Sequence, residues 1–277
     1  MQNQKRRLSY SGISTFKQCR KNFYYAYDLK LEPKLVRPEV SIGRAIHEAL
    51  DDFYSLDPEN RTHDILNSNY EKSMTKTFAE LDTFMGGLES KEKEKFEKDQ
   101  AKGKTWIDNY WHKYKQDDSI PKAITEKLFE IDMGDFVLVI KPDAIVKKDD
   151  ETWVLEHKSG NPDIQQLLME DEQSLYYVFG LRKLGYDAKG MIYNLISNPT
   201  RTSDGLEREE IERTDLELLG LEHEVRQIAK EIATLPRYPN RGRLCSWCFY
   251  RELCRAEWFG GDVEYLISKD FNKKGVS

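Results

Sequence analysis

Two apolar runs, FVLVIKPDAIV over 136–146 and TWVLEHKSG over 152–160, flank a purely charged stretch of Lys147, Lys148, Asp149, Asp150 and Glu151. Short runs of Val, Ile, Leu, Phe and Trp favour strands, and a charged break between two of them reads as a β-hairpin. With the turn centred between Asp149 and Asp150, Lys148 faces Glu151, and counting outward sets Asp143 opposite Glu156. Directly opposed residues hold their Cβ atoms about 4.5–5.5 Å apart, close enough for two carboxylates to share one divalent cation. Lys158 follows Glu156 by two, so the period of a strand puts it on the same face. Opposed carboxylates repel unless something neutralises them, and a hard cation such as Mg²⁺ or Mn²⁺ does so. The alternative is an ordinary exposed strand face, since charge on the outer side of an antiparallel pair is common.

The rest of the chain can support such a hairpin. Its 277 residues, 33% charged and 39% hydrophobic, suit one large domain or two small ones with a substantial core. No stretch approaches the roughly 18 apolar residues of a membrane span, and the opening MQNQKRRLSYSG lacks the apolar region of a signal peptide, so a cytoplasmic location is expected. A net charge of −6 argues against a nucleic-acid coat protein, yet basic groups at Lys5, Arg6 and Arg7, at Lys17, Arg20 and Lys21, and at Arg237, Arg241 and Arg243 allow a local basic groove.

Periodicity predicts helices through Ile13, Phe16, Phe23, Tyr24 and Tyr27, and through Ile42, Ala45, Ile46, Ala49, Leu50 and Phe53, with Pro33 and Pro38 between them. Two more helices are expected over 61–115, parted at Gly86 and Gly87; the charged 85–105 stretch is a solvated helix face or loop. GKT at 103–105 is no phosphate loop, because the first glycine of that motif is replaced by Lys98. Strands follow at 123–133, 136–147 and 152–158, a helix at 164–184, a strand at 188–196 and an amphipathic helix at 214–234 with Leu216, Leu219, Val225, Ile228, Ala229 and Ile232 on one face. The pattern is an α/β core with helices on its faces.

All four cysteines are Cys19 and the group Cys245, Cys248 and Cys254, spaced C-x2-C-x5-C. In a chain of this kind they point to a metal centre rather than to disulfides. A single CxxC knuckle with two outlying cysteines is less typical of structural zinc than paired knuckles, and an iron–sulfur cluster on four thiolates fits at least as well. If Cys19 joins the other three, the site staples the N-terminal helix to the C-terminal segment and its binding energy becomes folding energy. Weaker candidates remain. His47 lies within an apolar helical pattern, where a packed histidine is the common reading. Gln173 and Tyr177, four apart, share one helix face. Glu126 stands at the head of the first core strand as an outer metal ligand or a surface residue.

Taken in order, LSYSGISTFKQCRKNFYYAY (8–27), GRAIHEAL (43–50), KPDAIV (141–146), VLEHKS (154–159), QSLYY (173–177) and CSWCFYRELC (245–254) span nearly the whole chain. They resemble the RecB-type branch of the PD-(D/E)xK nuclease superfamily, and most closely its iron–sulfur members, the CRISPR-associated adaptation exonucleases and the nuclease domain of AddB. The resemblance implies a restriction-endonuclease-like α/β fold: a central mixed sheet flanked by helices, with an N-terminal helical region and a C-terminal segment joined by an iron–sulfur cluster. It implies one nuclease domain over 1–277, mainly helical at 1–115, with the catalytic core at 116–200, a helix and the cysteines at 201–260 and a polar tail at 261–277.

By the same resemblance, His47, Asp143, Glu156 and the backbone carbonyl of His157 bind catalytic Mg²⁺ or Mn²⁺, and Lys158 positions the attacking water. Gln173 and Tyr177 contact DNA or Lys158, while Cys19, Cys245, Cys248 and Cys254 hold a 4Fe-4S cluster, with zinc as the alternative. The implied activity is a metal-dependent DNA exonuclease on single strands, 5′ to 3′, in recombination, repair or CRISPR adaptation. Its partners are DNA with free ends and a helicase or integrase protein. The rivals are an endonuclease on the same core and a cluster-bearing DNA-binding subunit. Two residues depart from the pattern or lie outside it: Lys141 stands where RecB-type members often have Gly, and the side chain of His157 has no assigned role.

Overall fold

A computed structural model describes residues 5–34, 38–85, 87–115, 120–125, 127–160, 171–201 and 203–273. In chain order the elements are β1 (Arg6–Ser9), α1 (Tyr10–Gln18), α2 (Arg20–Phe23), a π-helical turn at Tyr24–Asp28, β2 (Leu31–Pro33), α3 (Pro38–Tyr54), α4 (His63–Met85) and α5 (Ser90–Tyr114). There follow β3 (Ile124–Thr125), β4 (Phe129–Asp132), β5 (Phe136–Ile140), β6 (Ala144–Lys148), β7 (Glu151–Ser159), α6 (Gln173–Lys183), β8 (Ala188–Ile196) and β9 (Leu206–Glu212). The chain closes with α7 (Asp215–Thr234), α8 (Arg251–Phe259), α9 (Val263–Asp270) and β10 (Phe271–Lys273). Two compact units emerge, one of Met1–Val36, Met133–Val137 and Glu222–Ser277, the other of Arg37–Asp132 and Leu138–Leu221.

The second unit is built on a five-stranded mixed sheet in the order β3-β6-β7-β8-β9, with β7 and β8 parallel and the other neighbours antiparallel. The β6–β7 hairpin has the expected register: Lys148 pairs with Glu151, Val146 with Trp153 and Ala144 with Leu155. Asp149 and Asp150 both take positive φ, 51° and 65°, which is the backbone of a two-residue type I′ turn. The apolar run at 136–147 is not one strand. β5 ends at Ile140 and β6 begins at Ala144. Pro142 has no N–H to give a ladder, so the chain bends there, and Asp143 stands at the bend, one register step before Ala144.

One face of this sheet, carrying Ala144, Val146, Trp153, Leu155, Ile192 and Ile196, packs with Ile42, Ala45, Ile46, Ala49 and Leu50 of α3 and with residues of α4 and α5. The α3 stripe is the one its periodicity predicts. Gly43 belongs to the same approach, since a Cβ there would stand 2.9 Å from Ser159 Oγ at the end of β7. Helix α6 packs against β7 and β8. It is observed over Gln173–Lys183, and the earlier part of the helix expected at 164–184 falls largely outside the described residues. Strand β9 was not expected: LEREEIE carries too much charge to read as a buried strand, and as the last strand of the sheet order it needs no second apolar face.

In the first unit, Ser9 caps α1 by accepting from Gly12 N at 3.2 Å, and the helix expected through Tyr27 breaks at Cys19, whose φ of −158° is extended. The segment expected to be a polar tail carries α9 and β10, and β10 pairs antiparallel with β2. Tyr25, Leu31, Tyr250, Leu253 and Phe271 form a small core there, with Tyr250 OH donating to Leu31 O at 2.7 Å. Helix α7 begins in the second unit and continues in the first: Leu218 and Leu221, then Val225, Ile228 and Ile232, are its buried residues, whereas Leu216 and Leu219, expected inside, are exposed.

Gly190 sets the β8–β9 contact. An added Cβ would lie 2.0 Å from Ile211 O and 2.9 Å from Glu212 Cα, backbone atoms that cannot swing aside. Gly190→Ala is expected to cost about 1–3 kcal/mol of stability, as overpacking does, read as a lower denaturation midpoint in urea.

Candidate active site

The bend at Pro142 and the end of β7 bring together His47, Asp143, Glu156, Lys158, Gln173 and Tyr177. Asp143 Oδ2 accepts the backbone N–H of His157 at 2.8 Å and lies 3.2 Å from His47 Nδ1. On the neighbouring residue, Glu156 Oε1 accepts from Lys158 Nζ and from Gln173 Nε2, both at 2.8 Å. Lys158 also donates to Gln173 Oε1 at 2.7 Å, closing a three-membered ring of hydrogen bonds. Gln173 Nε2 reaches Tyr177 OH at 3.0 Å, and Tyr177 OH donates to Lys141 O at 3.1 Å. Gln173 and Tyr177 therefore act on one face of α6, as their spacing predicts.

Helix α6 is pinned where Gln173 begins it. Asp171 accepts from Gln173 N at 2.9 Å and from Ser174 N at 3.1 Å, satisfying two of the free donors of the first turn. Arg213 holds Asp171 in turn, donating to its backbone oxygen at 2.9 Å and to Ser174 Oγ at 2.7 Å.

The electrostatics follow from burial. Glu156 is 4% exposed, and its carboxyl is pushed up to about 7, first by desolvation and then by the charge of Asp143, with Lys158 working against both. Its second oxygen, Oε2, is buried without a hydrogen bond. Desolvation also opposes ionisation of Asp143, but the bond from His47, then the charges that His157 and His47 carry when protonated, and last the bond from the His157 amide win, and its pKa falls. For His47, burial favours the neutral ring, yet the bond and charge of Asp143 raise its pKa.

His157 points to the other face of β7. It is fully buried, and desolvation lowers its pKa to about 3, so the ring is neutral. Asn194, its register partner on β8, donates to Nδ1 at 2.8 Å and to Tyr110 OH at 2.7 Å. Arg208, the partner of Asn194 on β9, donates to Asn194 Oδ1 at 3.4 Å, Tyr54 OH at 2.7 Å and Tyr110 OH at 3.0 Å. Tyr54 also stacks on the imidazole, with ring centroids 5.8 Å apart. Sequence reasoning missed this row; the one signal was an Asn inside the otherwise apolar MIYNLI. It also missed Asp51, one turn after His47, whose carboxyl burial and the charge of Asp143 push up to about 8. Glu126 lies outside the described residues.

In the first unit, Cys19, Cys245, Cys248 and Cys254 are all free thiols and line one cavity of about 490 Å³. Burial, then the charges of the other cysteines, raises the pKa of Cys248, and burial followed by Cys19 raises that of Cys254. Four soft donors around one cavity suit a thiolate-bound metal group in type and number. Among the described residues no three His, Cys, Asp or Glu side chains are already gathered as a finished metal site, and no described helix is long and apolar enough to cross a membrane.

Among solved structures, a candidate exonuclease from Eubacterium rectale aligns over 87% of this chain and 86% of its own with a TM-score of 0.53 and 14% identity, a likeness of fold. A second, SSO0001, aligns over 79% of this chain and 95% of its own at 16% identity, with a TM-score of 0.36 that is too low to bear on the fold. No curated protein matches. The model of the PD-(D/E)XK nuclease superfamily matches residues 7–255, and the chain belongs to that superfamily.

Proposed function

We propose that this protein is a metal-dependent DNA exonuclease of the RecB-type iron–sulfur branch, acting on single strands 5′ to 3′ in recombination, repair or CRISPR adaptation. In this reading residues 1–277 serve as one nuclease domain, supplied with free ends by a helicase or integrase partner. The observation that carries it is the half-buried ring of Lys158 and Gln173 on the buried Glu156, beside the Asp143–His47 pair, with Glu156 Oε2 left unpartnered. The candidate exonuclease of similar fold supports it.

His47, Asp143, Glu156 and the backbone carbonyl of His157 would hold Mg²⁺ or Mn²⁺. Carboxylate and carbonyl oxygens suit both ions, and the unpartnered Glu156 Oε2 is a buried acceptor that calls for a positive charge. When bound, a divalent cation polarises the scissile phosphate and acidifies water. Lys158, held on two sides by Glu156 and Gln173, presents its ammonium in a fixed place to orient the attacking water and offset charge on the phosphate. Tyr177 sets the amide of Gln173. Neutral His157, clamped by Asn194, fixes the peptide that donates to Asp143. Cys19, Cys245, Cys248 and Cys254 would hold a 4Fe-4S cluster that ties the start of the chain to its end.

Anaerobically purified protein with Mn²⁺ is expected to degrade end-labelled linear single-stranded DNA and to spare a circular strand. Asp143→Ala abolishes cleavage, and Lys158→Ala slows it about 10²–10³-fold, the loss typical of one transition-state donor. Cleavage that persists in Asp143→Ala, or none by the wild type, overturns the assignment; cutting of the circle replaces exonuclease with endonuclease. The same preparation is expected to show a broad visible absorbance shoulder that Cys19→Ser loses together with its iron. Stoichiometric zinc and a colourless protein would overturn the cluster.

A further inference from the structure

Asp51 takes part in none of the contacts above. It lies one turn beyond His47 on α3, so the two side chains leave the same face of the helix. It is 6% exposed, and its Oδ1 is buried with no hydrogen bond. Burying a carboxyl without a partner is costly, and the same unit shows how a structural one is satisfied: Asp171 has two backbone N–H groups and Arg213. After burial itself, Asp51 has instead the charge of Asp143 acting on it, opposed by Lys141, and more weakly those of its neighbour Asp52 and of Glu156. Two buried acceptors, Asp51 Oδ1 and Glu156 Oε2, thus lack donors around the carboxylate of Asp143. A hard dication satisfies several such oxygens at once, as a single donor does not.

We infer that Asp51 is a further acidic residue of the cation site, helping His47, Asp143 and Glu156 to hold the divalent ion. The inference rests on the nuclease reading above.

The test titrates Mn²⁺ into full-length wild type, Asp51→Asn, Asp51→Glu and Asp143→Asn, following the free-ion paramagnetic resonance signal and the melting temperature. Asparagine keeps the size of Asp51 but cannot ionise to meet a cation. Asp51→Asn is expected to bind Mn²⁺ about tenfold or more weakly, the scale on which supporting groups act at metal sites. Its metal-free form is expected to melt no lower than the wild type, because no unpartnered carboxyl is then buried, while the rise in melting temperature on adding Mn²⁺ shrinks. Asp51→Glu, which keeps the charge, binds more tightly than Asp51→Asn; the reverse order overturns the inference. Equal Mn²⁺ affinity in wild type and Asp51→Asn, with binding lost in Asp143→Asn, overturns it and leaves the nuclease reading standing. A wild type that binds no Mn²⁺, or an Asp143→Asn protein that binds as well as the wild type, overturns the reading itself.

Discussion

The two-residue turn at Asp149 and Asp150 fixes the register of β6 on β7, and that register decides where every charge of the site stands. Side chains alternate along a strand, so a slip of one residue would send Glu156 and Lys158 to the face packed by α3, α4 and α5 and bring His157 out among the acids. The hydrophobic pattern guards against the slip, because Trp153 and Leu155 would leave the core with it. Only then does the bend at Pro142 matter: it ends the pairing one residue before Ala144 and leaves the Asp143 carboxylate free to take the amide of His157. The site is a consequence of where a sheet stops.

Burial then makes the charges interact strongly. Two carboxylates in one desolvated place cannot both ionise cheaply, and the protein divides the difficulty between them: Asp143 keeps its charge through His47 and a peptide N–H, while Glu156 is the one whose proton affinity rises. Lys158 does not resolve this alone, since one of the Glu156 oxygens remains without a partner. A surface ion pair would contribute little, but here the Lys158 ammonium and the Gln173 amide share one buried acceptor, and the ring they form holds each in a single orientation.

What the sequence made legible follows the same physics. Strong local signals survived: the hairpin and its register, the α3 stripe, and the face shared by Gln173 and Tyr177 are each set by a periodicity and by neighbours a few residues away. Features decided by tertiary context were not legible. Pro142 cut an apolar run that reads as continuous, β9 is a strand although its residues are mostly charged, and Leu216 and Leu219 stay outside a helix whose other apolar residues turn in. From its own helical pattern His47 reads as a packed histidine; only the family resemblance singled it out, and the structure sets Asp143 beside it. Asn194 and Arg208 are far from His157 in sequence, and Asn194 reaches it, with Arg208 behind, only because three strands lie in one register.

That row gives β7 two jobs at once. Residues 156 and 158 face the site, while 157 faces inward and is held across the sheet by Asn194 and Arg208, with Tyr54 and Tyr110 closing the network. With its ring fully enclosed and neutral once pH is well above about 3, His157 acts there by holding still the peptide whose N–H meets Asp143. A rigid peptide at that point fixes the separation of Asp143 from Glu156, which no contact between the two like charges could do for itself. The anchoring of the site therefore comes from the face of the strand that carries none of its chemistry.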